Sequence, residues 1–489
     1  MQDANPATVV RMMDSRLSAR ALSDRLGPWR TREPAYEALA DAIRLLCLDN
    51  RIAPRTALPA ERELAARLGV SRTTVAAAYR SLRESRHIES IRGSGSVTLA
   101  LGRRDLGRAS DVDGALDLQQ ASPAAWPGLP AVYAEAAADA PRLVARSGYE
   151  MHGLRSLRAA LADRYTARGL PTSAEQIMVV NGAQSAIALT ARLLVSRGDR
   201  VIIETPTYPH AAECYAAAGA RLVGIPVTPG SGWDLDRAED AFRRAAPVMA
   251  YLMPDFHNPT GESMSRDEIA HIAGVARDSG TVLVIDETTA ELDIDRGGAA
   301  VPFAAAAPSG AEIITVGSTG KTVWGGLRVG WIRADEDTIR RLLAARPVGD
   351  LGTPDFEQSV VERLIPLMPE IVAQRAESLR AGRDALVSAL SERLPEWRVH
   401  AAQGGVALWV ELGLARSSAL VLAARRRGLL LSAGPRFSVG GGHERHLRIP
   451  FTAAPEVLER GAGILEEAWA EVVDEPTAAL AERMSDALV

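Results

Sequence analysis

Apolar residues in the N-terminal part of the chain recur at helical spacing. After Pro34, one face of the segment carries apolar side chains at every third or fourth position, which predicts an amphipathic helix. Pro34 suits the first turn of that helix because its missing N–H has no partner there. The apolar positions of the helix are Tyr36, Leu39, Ile43 and Leu46.

Two further helices are predicted, with a tight turn between them. The second begins near Pro59 and ends at Gly69, and the third follows Ser71, which is a natural N-cap. Val70 and Val75 flank that start at the spacing of a hydrophobic staple. The second and third helices together form a helix-turn-helix pattern, in which the start of the third helix can enter the major groove of DNA. A plain three-helix bundle has the same spacing, so the pattern alone leaves both interpretations open.

A β-hairpin is predicted after the third helix. Its strands are His87–Ile91 and Ser96–Leu99, and Arg92–Gly95 between them form a tip of mainly small residues. Such a tip can approach a DNA backbone closely, as a wing does. Residues 1–30 carry no motif and are interpreted as a partly ordered arm, so the predicted winged helix-turn-helix domain covers residues 31–100.

The pattern changes from about residue 116 onward. Residues 101–115 are charged and contain Gly, which is typical of a linker. Beyond them, short apolar runs alternate with Ala-rich helical stretches such as 185–195 and 265–279. This alternation predicts an α/β domain with a largely parallel sheet, whose ligands bind at the carboxyl ends of the strands. The candidate strands are Ile177–Val180, Val201–Ile203, Leu222–Ile225, Ala250–Met253, Val282–Ile285 and Ile313–Val316.

Charge and cysteine content narrow the class of protein. Residues 1–100 contain 16 Arg against 11 Asp and Glu, which gives them a net charge of +5. Since the whole chain has a net charge of −5, the remaining 389 residues have a net charge of −10. A basic segment beside a helix-turn-helix pattern favours a nucleic-acid partner. There is neither an apolar run of about 18 residues nor an apolar leader, and Cys47 and Cys214 are far apart in sequence. These features predict a cytoplasmic protein without a membrane partner.

The lysine content is the sharpest chemical signal. Of the 56 basic residues, 55 are Arg and one, Lys321, is Lys. A guanidinium group stays protonated and cannot form a Schiff base, whereas a lysine amine can. A codon bias toward Arg with one accidental survivor is the alternative explanation.

Polar residues with possible ligand roles follow the predicted strands. Asn181–Gln184 connect a strand to a helix, and helix N-termini with small residues bind phosphate. Asp286 ends a buried run, where a carboxylate is costly unless it has a partner such as a protonated ring nitrogen. Each segment alone also has an ordinary packing explanation. The other segments of this kind are Thr205–Pro209, Asn258–Gly261, Ser318–Lys321 and Gly326–Gly330.

The N-terminal motifs resemble the GntR-type winged helix. The resemblance is carried by Leu58–Ala65, Val70–Val75 and Arg92–Ser96, and it implies double-stranded DNA as a partner. One departure is Arg86, where the family usually has Gly before the wing. The residues that the resemblance implies for DNA binding are Arg62, Ser71, Arg72, Thr73, Thr74, Tyr79, Arg92, Gly93, Ser94 and Gly95.

The segments of the large domain, in their order, resemble the fold-type-I pyridoxal-phosphate enzymes of the aspartate aminotransferase class over residues 116–475. The resemblance implies that Lys321 forms the internal aldimine with pyridoxal 5'-phosphate and that Asp286 pairs with the pyridine nitrogen. It also implies that Asn258 binds the phenolic oxygen, that Tyr208 stacks on the ring and that Arg448 clamps an effector carboxylate. The other implied cofactor ligands are Ala183, Gln184, Thr289, Ser318 and Arg328.

Two departures bear on catalysis. Thr288 and Thr289 stand where many relatives have a Tyr that aids the cofactor oxygen, and Gly320 precedes the lysine where relatives often have Ser. Either change could retune the cofactor site without abolishing it.

The order winged helix, linker and aminotransferase-like domain resembles the MocR subfamily of GntR-type regulators. We therefore predict a multidomain fold with an N-terminal α+β winged helix-turn-helix. It precedes an α/β aminotransferase-like domain, 116–489, whose smaller α+β subdomain covers about 345–489. The chain is expected to be a homodimeric bacterial regulator that senses an amino acid, an amine or pyridoxal phosphate itself. An active aminotransferase with a vestigial DNA-binding head is the main alternative. The third interpretation is a DNA-binding protein whose large domain serves only for dimerisation.

Overall fold

The protein is described here by a computed structural model that covers residues 15–26, 29, 34–48, 51–84, 87–91, 95–99, 115–297, 301–439 and 441–473. The wing-tip residues Arg92, Gly93 and Ser94, together with Arg86, lie outside this described part, and so do 101–114 of the predicted linker.

Secondary structure accounts for most of the described residues. The helices are α1 Ala19–Leu26, α2 Ala35–Leu48, α3 Glu61–Leu68, α4 Arg72–Glu84, α5 Leu129–Ala138, α6 Ala140–Val144, α7 Arg155–Ala167, α8 Ala183–Leu194, α9 Pro209–Ala217, α10 Leu235–Ala245, α11 Arg266–Asp278, α12 Phe303–Ala306, α13 Glu336–Ala345, α14 Asp355–Leu364, α15 Met368–Arg393, α16 Ser417–Arg426 and α17 Pro455–Val473. The strands are β1 Ser15–Arg16, β2 Thr56–Ala57, β3 Ile88–Ile91, β4 Gly95–Thr98, β5 Leu116–Asp117, β6 Ile177–Val180, β7 Arg200–Thr205, β8 Arg221–Thr228, β9 Gly232–Trp233, β10 Met249–Leu252, β11 Val282–Asp286, β12 Ile313–Ser318, β13 Gly330–Arg333, β14 Ala407–Glu411, β15 Leu429–Leu430, β16 Ser432–Ala433 and β17 His446–Pro450.

The contacts divide the chain into two compact units. The first contains the described residues up to Asp117, Leu414–Arg436 and the described residues from Ile464 onward. The second contains Leu118–Gly413 and Phe437–Gly463. The predicted subdomain of about 345–489 is therefore not a separate unit, because its residues are shared between the two.

The N-terminal part of the first unit has the predicted winged helix-turn-helix fold. Helices α2, α3 and α4 are followed by the hairpin β3–β4, in a four-stranded sheet of order β1-β2-β4-β3. Gly69 ends α3 with a left-handed φ of 64°. Ser71 Oγ accepts a hydrogen bond from the Thr74 N–H at 3.0 Å, so the predicted N-cap forms.

Part of the predicted arm is a structural component of this domain, which corrects the interpretation of residues 1–30. Strand β1 pairs in parallel with β2, and α1 packs on α3. Leu22 and Leu26, one helical turn apart, are 0% and 4% exposed in the same core as α2–α4. The eight-residue α1 is too short to give a strong periodic signal, which explains why the sequence pattern missed it.

Two later segments complete the first unit. Strand β5 pairs in parallel with β15, and the Leu116 N–H donates to Gly428 O at 2.8 Å. Helix α16 packs against α2. Strand β5, which follows the winged-helix domain in the chain, thus pairs with residues more than 300 positions later.

An eight-stranded sheet organises the second unit, in the order β6-β13-β12-β11-β10-β7-β8-β9. Strands β12, β11, β10, β7 and β8 run parallel to one another, whereas β13 is antiparallel to β12 and β6, and β9 is antiparallel to β8. Strand β10 is buried throughout, and β7, β11 and β12 are buried except at their ends, because apolar clusters cover both faces of the sheet. The largely parallel α/β sheet predicted from the sequence is confirmed.

The parallel strands bring their carboxyl ends to one edge of the sheet. Thr205, Leu252, Asp286 and Ser318 are the last residues of β7, β10, β11 and β12. Helix α11 begins with the predicted capping box between Ser265 and Glu268. No helix in the described ranges is long and apolar enough to cross a bilayer.

Candidate cofactor and DNA-binding sites

Lys321 lies just beyond the end of β12, at the edge where the parallel strands finish. Its Nζ donates a 2.6 Å hydrogen bond to Ala121 O. Burial, with a further contribution from the Arg448 charge, lowers the pKa of Lys321 to about 8, although the Asp286 carboxylate opposes that shift. A larger fraction of this amine is therefore neutral, and hence nucleophilic, near neutral pH than for an ordinary lysine.

Asp286 is almost fully enclosed, with 2% of its surface exposed. Its Oδ2 accepts a 2.6 Å hydrogen bond from the Tyr251 hydroxyl, and its Oδ1 accepts a 2.9 Å bond from the Thr288 N–H. Burial raises the pKa of Asp286, while the hydrogen bonds from Thr288 and Tyr251 oppose the rise. This environment suits a carboxylate that is completed by a cationic partner.

Sequence reasoning missed Tyr251, which lies in the middle of the buried strand β10. The side chain is 0% exposed, and a buried tyrosine hydroxyl needs a hydrogen-bond partner. A tyrosine inside an apolar run therefore indicates that its hydroxyl has a partner. Which residue is that partner can be seen only once the pairing of β10 with β11 is known.

The loop between β6 and α8 forms the predicted phosphate-binding turn. Ala183 and Gln184 begin α8, directly after Gly182 with φ 81°. Glycine is favoured here by the positive φ, and a Cβ atom at Gly182 would also come within 2.8 Å of Arg328 Nη2, so the guanidinium would have to shift. Arg328 Nη2 donates to Asn181 O at 3.3 Å, which places a cation beside the helix N-terminus.

Ser318 and Tyr208 are half-buried at the same edge of the sheet. The Ser318 hydroxyl donates to Val329 O at 3.3 Å and accepts from the Gly320 N–H at 3.0 Å. The ring of Tyr208 lies 5.3 Å from that of His210, measured between centroids. Neither position conflicts with the predicted roles.

The predicted pyridoxal phosphate can be tested against polar atoms that the protein itself leaves unsatisfied. Asn258 Oδ1 and Gln184 Oε1 are buried and have no hydrogen-bond partner among the described residues, and such atoms are costly unless a ligand completes them. An amine at Lys321, a carboxylate at Asp286 and a cation at Arg328 match an aldehyde, a pyridine nitrogen and a phosphate. The residues present therefore fit this cofactor.

Arg448 lies on β17 with 7% of its surface exposed. Its Nη2 donates to Gln119 O, and its Cζ lies 4.9 Å from the centroid of the Phe437 ring. The backbone contact and the cation–π contact fix the plane of the guanidinium. The Arg448 charge also acts on the Lys321 amine, so the structure brings these two predicted residues within electrostatic range of each other.

Thr289 does not have the predicted position of a cofactor ligand. It is 2% exposed, and its hydroxyl donates a 2.8 Å hydrogen bond to Asp255 O, which is a loop contact. Because the hydroxyl has a single proton, it cannot also donate to a cofactor oxygen. The structure thus gives Thr289 a structural role.

Sequence reasoning also missed Glu204, a buried acidic residue close to the loop that carries Asn258. Glu204, at 0% exposure, accepts hydrogen bonds from the Met253 N–H at 3.0 Å and from Trp233 Nε1 at 2.9 Å. His257 Nε2 lies 3.3 Å from Glu204 Oε2, and His257 directly precedes Asn258. These contacts anchor the loop that carries Asn258.

The start of α4 presents the predicted DNA-binding residues to solvent. Ser71, Arg72 and Thr73 are exposed, Thr74 is half-buried, and Arg62 is exposed on α3. The side chain of Arg72 is 73% exposed, and its Nε lies 3.6 Å from Glu61 Oε2. Exposure at this end of the helix is what contact with a DNA groove requires.

Tyr79 was predicted to bind DNA, and the structure contradicts this. The side chain is 1% exposed, in the core of the winged-helix domain, and its hydroxyl donates to Pro59 O at 2.9 Å. Gly95, the described residue of the predicted wing tip, begins β4 with φ 82°.

Two family descriptions match the chain. "Aminotransferase class I and II" matches residues 128–465, and "Bacterial regulatory proteins, gntR family" matches residues 35–97. The first match covers more than half of the chain and contains every residue of the candidate cofactor site. The second contains α2–α4 and the hairpin except for its last residue, Thr98.

Individual relatives include regulators as well as enzymes. The probable rhizopine catabolism regulatory protein MocR of Rhizobium meliloti is 30% identical over 331 residues, which are 61% of this chain and 65% of that protein. The 2-aminoadipate transaminase of Thermus thermophilus is 28% identical over 295 residues, 59% of this chain and 73% of that protein.

A solved structure of the α-aminoadipate aminotransferase LysN from Thermus thermophilus, in complex with N-(5'-phosphopyridoxyl)-L-leucine, superposes with a TM-score of 0.67. It is 27% identical in sequence and covers 74% of this chain and 94% of its own. The chain therefore belongs to the aminotransferase class I and II family. A GntR-family domain precedes this part, and this arrangement, together with the similarity to MocR, is consistent with the MocR subfamily of GntR-type regulators.

Proposed function

We propose that the protein is a transcription regulator whose DNA affinity responds to an amino compound, or to pyridoxal phosphate itself, bound at Lys321. The observation that carries this proposal is the presence, in one chain, of an exposed recognition helix and an enclosed set of Lys321, Asp286 and Arg448. For such a response, the effector must interact more favourably with one arrangement of the protein than with another. A cytoplasmic location follows from a DNA target in a bacterium.

The cofactor of this chain is pyridoxal 5'-phosphate. When bound, it supplies an aldehyde that reacts with amines and an aromatic ring that withdraws electrons. We assign Lys321 Nζ to its covalent attachment and Asp286 to the ring nitrogen. Asn258 is assigned to the phenolic oxygen, and Arg328, with the α8 N-terminus, to the phosphate.

The effector is proposed to be an amino acid rather than a simple amine. Arg448 presents a guanidinium that Phe437 and Gln119 O hold in place, and such a group binds a carboxylate through two parallel hydrogen bonds. The nearby Lys321 amine marks the position that the effector amine must reach.

We further propose a homodimer. Tyr149, Val348 and Leu351 are 70%, 81% and 53% exposed, although large apolar side chains are usually covered. Their segments adjoin each other, since Arg346 donates to Met151 O, and Asn181 Nδ2 donates to Gly352 O at 3.4 Å. A second copy at this surface would cover apolar side chains close to the proposed phosphate-binding turn.

An active aminotransferase is the second candidate function. The partly neutral amine of Lys321 favours it, because transamination needs a lysine amine that moves a proton between carbon atoms. The absence of a tyrosine at Thr288 and Thr289 disfavours fast turnover, and the exposed start of helix α4 would have no role in such an enzyme.

A spectral screen of amino compounds against the full-length protein tests the proposal. An effector should shift the absorbance of the bound cofactor and, at the same concentration, change the affinity for promoter DNA of the protein's own or neighbouring genes. In parallel, conversion of the cofactor to its pyridoxamine form should be slow or absent. Rapid, complete conversion by many amino acids, without any effect on DNA binding, would establish the aminotransferase instead.

A further inference from the structure

The contact between Tyr251 and Asp286 joins two neighbouring strands on one face of the central sheet. Tyr251 on β10 pairs in register with Val284 on β11. Since residues two apart on a strand lie on the same face, Asp286 is the next residue of β11 on the Tyr251 side. The phenol therefore reaches diagonally to the carboxylate, where its hydroxyl donates to Oδ2 at 2.6 Å.

The donors to Asp286 leave room for one more. Besides the Tyr251 hydroxyl and the Thr288 N–H, the Thr288 side chain also donates to the carboxylate. The Tyr251 hydroxyl occupies one site on Oδ2, and the Thr288 N–H occupies one on Oδ1. A carboxylate has about four acceptor positions, so a ring nitrogen can still bind. Thr288 belongs to the loop that follows Asp286, whereas Tyr251 is fixed within the sheet at 0% exposure.

We propose that Tyr251 is a positioning residue for the cofactor: its hydroxyl orients Asp286 and keeps it ionised, so that the shared proton stays on the ring nitrogen. This inference rests on the proposed pairing of Asp286 with that nitrogen. It adds Tyr251, from a separate strand, to the residues that determine whether the ring nitrogen is protonated.

The physical reason is the cost of a buried charge. An ionised carboxylate in an apolar interior is favoured only by the donors and cations around it. Loss of the Tyr251 hydroxyl removes one charge-assisted bond, and the proton moves toward Asp286. A ring without that proton withdraws fewer electrons, so the nitrogen that joins Lys321 to the cofactor binds its own proton more tightly.

Other ionisable groups near Asp286 must be considered in any pH measurement. Burial raises the pKa of Asp286, and the Glu204 charge adds to that rise. Burial and the charges of Arg448 and Arg328 lower the pKa of Lys321, while the Asp286 charge opposes this. Burial raises the pKa of Tyr215, and the Asp286 charge adds to that rise. Tyr251→Phe leaves Glu204, Lys321 and Tyr215 themselves unaltered, so the change that the comparison measures is the change at Asp286 and the ring nitrogen.

A matched control exists in the neighbouring ring. Tyr215 is also 0% exposed, and its centroid lies 5.8 Å from that of Tyr251. Its hydroxyl contacts Thr190 Oγ1 at 3.2 Å. Tyr215→Phe removes the same atom from the same core without touching an Asp286 hydrogen bond.

The experiment uses the full-length protein loaded with ¹⁵N-ring-labelled pyridoxal phosphate. For Tyr251→Phe we expect the pH midpoint of the cofactor absorbance to rise by about one unit, a tenfold change in the proton equilibrium. The ¹⁵N resonance should move toward that of an unprotonated ring. Tyr215→Phe should leave both signals unchanged. Equal shifts in the two variants, or no shift in Tyr251→Phe, would overturn the proposal.

Asp286→Asn separates this inference from the proposed function. If Asp286 pairs with the ring nitrogen, this variant loses the protonated ¹⁵N signal, and adding Tyr251→Phe to it has no further effect. If Asp286→Asn leaves the signal unchanged, the assignment of Asp286 itself is wrong. A shift in Asp286→Asn without one in Tyr251→Phe contradicts the role of Tyr251 alone. Cofactor content and thermal melting confirm that each variant is folded and loaded.

Discussion

The recognition helix and the cofactor site both depend on cationic side chains, but they place them in opposite surroundings. Arg72 at the start of α4 has a side chain that is 73% exposed, whereas Arg448 is 7% exposed and Lys321 is enclosed enough for its pKa to fall to about 8. Water and salt screen the first kind of charge, and an apolar interior amplifies the second. We infer that DNA affinity is a sum of modest contacts, whereas the cofactor site depends on individual groups.

The largest effect that this contrast predicts is for Lys321→Ala. The variant should lose all covalent attachment of pyridoxal phosphate, because the chain has no other lysine. Borohydride reduction followed by peptide mapping should label Lys321 in the unaltered protein and no lysine peptide in the variant. Label at the N-terminal amine of the unaltered protein would contradict the assignment.

Arg448→Ala should weaken the effector response by about 2–5 kcal/mol of binding free energy, since the effector carboxylate would lose a buried charged partner. Titration of the cofactor absorbance with effector measures the loss, and without effector the cofactor should remain covalently attached to Lys321. Arg448→Lys serves as the control, because it keeps the charge but not the two-pronged geometry. A full response in Arg448→Ala would mean that the effector is not held by its carboxylate, and cofactor sensing would become the better interpretation.

The lowered pKa of Lys321 predicts the pH dependence of cofactor attachment. Only the neutral amine attacks the aldehyde, so the rate should rise with pH and level off above about 8, rather than above the ordinary value of 10.5. At pH 8 the rate should therefore be about a hundredfold higher than for an exposed lysine. Stopped-flow absorbance on apoprotein measures this rate. Arg448→Ala should shift the midpoint upward, because it removes a charge that lowers the pKa; an unshifted midpoint near 10.5 in the parent protein would refute the argument.

Arg72→Ala should weaken DNA binding by about 1–3 kcal/mol if the side chain reads a base, and should then relax specificity at a single position. An equal loss on every sequence would instead identify a phosphate contact. Arg80→Ala is the matched control, since Arg80 is also exposed on α4 but lies two turns further along. Affinity of the full-length protein should fall steeply with salt, because phosphate contacts release counterions. A salt-independent affinity would argue against this mode of binding.

Features that depend on neighbouring residues can be predicted from the sequence, whereas contacts between residues far apart in the chain cannot. Ser71 and Gly69 could be assigned because caps depend on a few neighbouring residues, and the large-domain strands because buried runs are continuous. The contact between Tyr251 and Asp286 could not, because it joins residues 35 positions apart that meet only when β10 and β11 pair. Thr289 was assigned from its position in a motif, which says nothing about where the hydroxyl points.

The smallest predicted effect concerns Tyr79, which lies on the recognition helix but is buried, unlike Arg72. Its spacing from Val75 and Leu82 places it on the apolar face of α4, and all three are buried. Tyr79→Phe removes only the hydroxyl that donates to Pro59 O, so it should lower the free energy of unfolding by about 1 kcal/mol and leave DNA affinity unchanged. Denaturant titration and DNA binding, measured on the same preparation, separate the two effects. Thr73→Ala, an exposed position on the same helix, should show the reverse pattern, with altered DNA binding and little change in stability. If Tyr79→Phe weakened DNA binding as strongly as Arg72→Ala while stability held, the buried face would have to open on DNA, and the division between a solvated reading surface and an enclosed core would no longer describe this domain.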